Sequence, residues 1–149
     1  MICHGTVLKL WLSARYGFNY VLLGEDPFLV RHLFTPQVTY LEKNFGYTSA
    51  YYQFLHQDFH DDPTGAQQSL DRDGYTNAVG VVQGINLPPL FSGADAANLE
   101  LTYRFENQQT DGSDFDGNFN TLGATLYAPL PLWKLRADIG GTISRDLYS

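Results

Sequence analysis

The chain has 149 residues, enough for one domain, and a net charge of −7 from 16 acidic and 9 basic residues. That balance excludes a nucleic-acid partner, whose phosphates demand a basic surface. The single cysteine, Cys3, excludes an intrachain disulfide and, having no Cys partner, a thiolate metal centre.

Aromatics make up 15% and charged residues only 17%, with 14 glycines, a composition suited to an all-β chain. No run approaches the roughly 18 consecutive apolar residues of a membrane-crossing helix. The opening Met1-Ile2-Cys3-His4-Gly5 has neither the basic region nor the small-residue cleavage site of a secretory signal.

The first predicted strand covers residues 8–22. Its even positions are all apolar, from Leu8, Leu10 and Leu12 to Phe18, Tyr20 and Leu22, whereas Lys9, Ser13, Arg15 and Asn19 occupy odd ones. Period-2 alternation is a two-faced β-strand. About fifteen residues is long for a soluble sheet, in which strands of about five or six are usual. A strand of a membrane barrel needs about 9–11 tilted residues plus overhang at each interface.

An acidic turn at residues 24–27 leads into a second strand over 30–41, in which Pro36 predicts a bulge or a locally unpaired spot because proline removes a ladder donor. A tight connection at 42–46 precedes a third strand over 47–59. Its oily face is either Ala50, Tyr52 and Phe54 or Tyr47, Tyr51 and Leu55. The longest break, 58–74, is turn-forming and acidic. A fourth strand over 75–85 sets the small Ala78, Gly80, Val82 and Gly84 on one side. After a Pro-rich loop at 86–97, a fifth strand over 99–105 alternates cleanly, with Leu101 and Tyr103 opposite Arg104.

A polar loop at 107–118 gives way to a sixth strand with Leu122, Ala124 and Leu126 on one face and Thr121, Gly123 and Thr125 on the other. Pro129-Leu130-Pro131 turns the chain into a seventh strand over 133–144, in which Trp133, Ala137 and Ile139 oppose Lys134, Arg136 and Asp138.

The pattern predicts an all-β, antiparallel up-and-down meander of about seven strands, forming part of an outer-membrane β-barrel. Connections at 24–29, 58–74, 107–118 and after 145 are acidic and mostly longer and read as external loops; those at 42–46, 86–97 and 129–132 are shorter or Pro-rich and read as periplasmic turns, with 86–97 the weakest fit. Tyr16, Phe18 and Tyr20 at one level, with Tyr127 and Trp133 at the other, read as two interfacial aromatic girdles. Leu10, Leu12, Leu101, Leu126, Ala137 and Ile139 are the lipid-facing candidates. Lys9, Arg15, Arg31, Arg104, Lys134 and Arg136 are the lumen-facing ones, where they would set selectivity by charge.

Bacterial single-chain barrels have an even number of strands, so seven leave open edges. The sequence is therefore expected to be a fragment of a longer exported chain. The alternative architecture is a soluble β-sandwich or lipocalin-like binding module, its oily faces lining a core or pocket.

Three stretches carry a family resemblance: YVLLGEDPFL at 20–29, DRDGYTNAVG at 71–80 and DGSDFDG at 111–117. They resemble the C-terminal barrel of tetratricopeptide-repeat outer-membrane proteins, among which the surface lipoprotein assembly modifier group is similar. The resemblance implies an upstream periplasmic helical-repeat domain and a barrel in the outer membrane of a Gram-negative-type bacterium. Its implied role is non-enzymatic: export or surface display of a protein or polysaccharide, without a cofactor.

Chemistry-bearing clusters are few. His56 and His60 have metal-pair spacing for a helix but not for a strand; with Asp58, Asp61 and Asp62 they form a polar loop that could grip a cation. Asp71 and Asp73, and separately Asp111, Asp114 and Asp116, offer carboxylates for weak divalent-cation binding, though neither set has EF-hand spacing. No Gly-x-Ser-x-Gly nucleophile elbow is present.

Overall fold

The structure, a computed structural model, describes residues 9–42, 45–60, 71–132 and 135–148. Seven strands form one antiparallel sheet in simple chain order: β1 (Lys9–Leu23), β2 (Asp26–Glu42), β3 (Gly46–Phe59), β4 (Gly74–Leu87), β5 (Ala97–Thr110), β6 (Gly117–Pro129) and β7 (Arg136–Tyr148). Every neighbouring pair is consecutive in sequence. β1 and β7 are the edges and do not pair with each other, so the sheet is open. The strands run 13 to 17 residues, about three times the usual length.

Because the register is nearly continuous, side chains line up in rungs across the sheet. One rung reads Leu12, Val38, Ala50, Val81, Tyr103, Leu122 and Ile143 from β1 to β7. Its neighbour, on the opposite face, reads Ser13, Gln37, Tyr51, Gly80, Arg104, Thr121 and Ser144. Alternation within each strand has become an apolar face and a polar face of the whole sheet.

The register settles the third strand: Ala50, Tyr52 and Phe54 share the apolar face with Val38 and Phe34, while Tyr47, Tyr51 and Leu55 stand on the other. Pro36 inserts no extra residue. Phe34 pairs with Phe54 and Gln37 with Tyr51 in one register, and pairing with β3 is interrupted at Thr35 and Pro36. The one register shift between β1 and β2 lies at Val21/Leu22, beside the turn. On the apolar face an open hollow of about 590 Å³ lies at this proline, among Leu12, Val38, Tyr52, Val79 and Tyr103.

Strand ends move outward from the sequence reading. Residues 107–110 belong to β5 because Asn107, Gln108, Gln109 and Thr110 pair with Asn77, Thr76, Tyr75 and Gly74. This corrects the connection lengths. The β1–β2 turn is only Gly24-Glu25, and the β4–β5 connection at 88–96 is longer than the β5–β6 connection at 111–116. Length therefore does not separate the two ends.

Composition does separate them. Among the described residues, Glu25, Asp71, Asp73, Asp111, Asp114 and Asp116 lie on connections at one end, against the single cation Arg72. The turns at the other end expose Phe45, Leu90, Phe91 and Leu132.

Among the described residues, no second layer covers the apolar face. Leu12 and Ile143 are each 78% exposed and Ile139 72%. Among the described residues, Leu29, Ala78, Ala97 and Ala128 are the buried apolar side chains, and no large side chain is fully enclosed. The described residues therefore form a sheet without a hydrophobic core of its own.

Candidate functional site

The middle of the polar face is built by β3, β4 and β5. Glycines on β4 let tyrosines of β3 lie flat across it. A Cβ at Gly84 would fall 2.2 Å from the Tyr47 ring, and one at Gly80 2.2 Å from the Tyr51 ring; real side chains never approach so closely. Tyr47 thereby reaches past β4 and donates to Glu100 Oε2 on β5 at 2.6 Å.

One rung group further along, Arg104 on β5 holds Glu106 through Nε at 3.0 Å and Nη2 at 2.5 Å, and donates to Gln53 Oε1 on β3 at 2.7 Å. Nearer β1, Gln37 Nε2 donates to Ser49 Oγ at 2.7 Å, and the Thr39 and Ser49 hydroxyls are hydrogen-bonded at 2.9 Å. Ser49 is 2% exposed, so the polar face closes over itself.

The lumen-facing candidates Lys9, Arg15, Arg31, Arg104 and Arg136 all lie on this face, and the lipid-facing candidates Leu10, Leu12, Leu101, Leu126, Ala137 and Ile139 all lie on the other. Lys134 is outside the described residues. The cations divide by partner. Arg104 is bound to Glu106, and Arg136 to Asp138 at 2.7 Å. Arg31 Nε is sheltered from solvent with no hydrogen-bond partner among the described residues.

A polar recess of about 460 Å³ opens on the same face, lined by Ser13, Arg15, Gln37, Tyr51, Gln53 and Arg104 among others. Sequence reading placed Arg15 and Arg104 on one face but could not bring them to one recess, since that requires the register of four intervening pairings.

On the apolar face, from mid-strand toward the acidic end, tyrosine hydroxyls meet polar partners: Tyr16 with His32 Nδ1 at 2.8 Å, Tyr52 with Asn77, and Tyr103 donating to Asn120 at 2.9 Å. Aromatic rings lie close by, with Phe18 and His32 centroids 5.1 Å apart. An amphipathic ring with its apolar body on the face and its hydroxyl toward polar groups suits an interface. The second girdle is not built the same way. Tyr127 pairs with Asp138 on the polar face, its ring 5.1 Å from the Arg136 guanidinium, and Trp133 lies outside the described residues.

The histidines are rearranged relative to expectation. His56 stands beside its cross-strand partner His32, centroids 6.5 Å apart, while His60 turns to Asp58 at 3.8 Å. Asp61 and Asp62 lie outside the described residues. Among the described residues, no three His, Cys, Asp or Glu side chains gather around one point.

The loop aspartates hold backbone. Asp73 Oδ1 accepts from the Phe59 amide, Asp71 Oδ1 from the Asp73 amide, and Asp116 Oδ1 from both the amide and the hydroxyl of Thr110. Asp111 and Gly112 amides donate to the carbonyls of Asp73 and Asp71. These bonds lace the β3–β4 connection to the β5–β6 connection.

Comparison with protein-family models, curated proteins and solved structures finds no match.

Proposed function

We propose that the chain forms part of the wall of an outer-membrane β-barrel, with lipid against its apolar face and the polar face lining the interior. One observation carries this: an exposed apolar face continuous across all seven strands, with no second layer over it among the described residues. Soluble monomers rarely expose more than a few hundred Å² of contiguous apolar surface. Strand length supports the same reading. A 14-residue strand such as β4 spans about 46 Å, or about 33 Å of depth when tilted by about 45°, enough to cross an apolar band of about 25 Å.

A barrel with a polar, hydrogen-bonded lining suits passage or display better than catalysis. The proposed role is therefore non-enzymatic: export or surface display of a protein or polysaccharide, served by a helical-repeat region of the same polypeptide on the periplasmic side. The acidic end, with its tyrosine belt, is the outward one.

The test is fractionation of cells expressing the natural gene. The protein is expected in the outer membrane, resistant to alkaline carbonate, and faster on a denaturing gel before boiling than after. Recovery as a detergent-free soluble monomer would overturn the proposal.

A further inference from the structure

We infer that the recess between β1, β2 and β3 binds an anionic group, a phosphate, sulfate or carboxylate, on whatever passes along the polar face. The inference rests on the reading of that face as an interior and adds the charge class of its client. It is carried by the distribution of partners rather than by the number of cations.

Three acids of this face are already held: Glu106 by Arg104, Asp138 by Arg136 and Glu100 by the Tyr47 hydroxyl. Asp146 stands on β7, six strand spacings or about 29 Å along the sheet from Arg15. Arg15 opens onto the recess, whose lining holds no carboxylate among the described residues. Arg31 lies four residues along β2 from Thr35, the partner of Arg15; it stands on the same face just beyond the lining of the recess, and its Nε is shielded with no hydrogen-bond partner among the described residues.

A guanidinium presents a fork of donors matched to planar or tetrahedral oxyanions, and one sheltered from water without an acceptor is stabilised when an acceptor arrives. Ser13 and Gln53 complete a wall that can donate to and accept from such a group. Arg104, neutralised by Glu106 and tied to Gln53, fixes the far side. The chain as a whole is acidic, so this local cationic surface is not a by-product of composition.

The experiment measures binding of a fluorescein-labelled dextran sulfate oligomer to the full natural protein in detergent, with neutral dextran beside it and inorganic phosphate as competitor. The sulfated polymer is expected to bind and neutral dextran not to, with phosphate displacing it and salt weakening it. Arg15→Gln should weaken binding about 3- to 10-fold, and Arg31→Gln, which removes a cation of the same face just beyond the recess, by less. Arg145→Gln, a cation on the opposite face, should leave it unchanged.

Equal binding of both polymers, or equal loss in all three variants, would overturn the inference. The two proposals fail separately. A protein that enters vesicles but shows no charge preference removes the anion site and keeps the barrel. One that binds through Arg15 yet never leaves the soluble fraction does the reverse.

Discussion

Tyr47 and Glu100 lie two strands apart and are joined by a 2.6 Å hydrogen bond that passes over Gly84. A bond that skips a strand ties β3 to β5 independently of the backbone ladder. A hydrogen bond to a charged acceptor contributes about 1.5–3 kcal/mol. Tyr47→Phe and Glu100→Gln are each expected to destabilise the protein, and the double variant by clearly less than their sum. Equilibrium unfolding in detergent micelles measures all four proteins; strict additivity would mean that the bond contributes nothing.

The neighbouring contact is steric. Gly80→Ala places a methyl group inside the Tyr51 ring and should destabilise the protein by about 1–3 kcal/mol. In a Tyr51→Ala background the same change should be nearly free, because the ring that it collides with is gone. The same unfolding assay reads the difference.

Leu122 and Thr121 are adjacent on β6 and face opposite ways. Leu122→Arg puts a charge on the apolar face and is expected to lower stability in a bilayer by about 2–4 kcal/mol. Thr121→Arg should change it by less than about 1 kcal/mol. Folding titrations into phosphatidylcholine vesicles compare them, and equal effects would reverse the assignment of faces.

Asp116 accepts from the amide and hydroxyl of Thr110 at the end of β5. Asp116→Ala leaves both donors without that acceptor, with an expected loss of about 1 kcal/mol. The visible effect should be local: limited proteolysis will cut residues 111–116 faster, while the strands stay protected.

β1 and β7 each present one unpaired row of backbone groups. In the membrane-assembled protein, amides of β1 should exchange with deuterium as slowly as those of β4. Fast exchange at alternate β1 positions would mean that the edge stays open in the assembly.

Much of the fold was legible because one period recurs seven times. In β1, β5 and β7 apolar and polar residues alternate without ambiguity, so Leu12, Leu101 and Ile139 could be placed opposite Arg15, Arg104 and Arg136. β3 resisted because tyrosine fits either face. Tyr47 and Tyr51 turn to the polar face since Gly84 and Gly80 of the next strand make room there, which no single-strand pattern contains. Residues 107–110 looked like a loop because Asn and Gln carry no alternation; pairing with β4 makes them strand. The recess shared by Arg15 and Arg104, and the His32–His56 pair, are products of register, which is a relation between strands.

An up-and-down sheet of seven members sends its first and last in the same direction along the axis. Joining β7 of this chain straight to β1, whether its own or that of a second copy set upright beside it, would create a parallel seam in an otherwise antiparallel wall. A seam of the same kind as the rest needs an odd number of intervening segments, so a count of the segments in the assembled particle tells which kind of joint seals it.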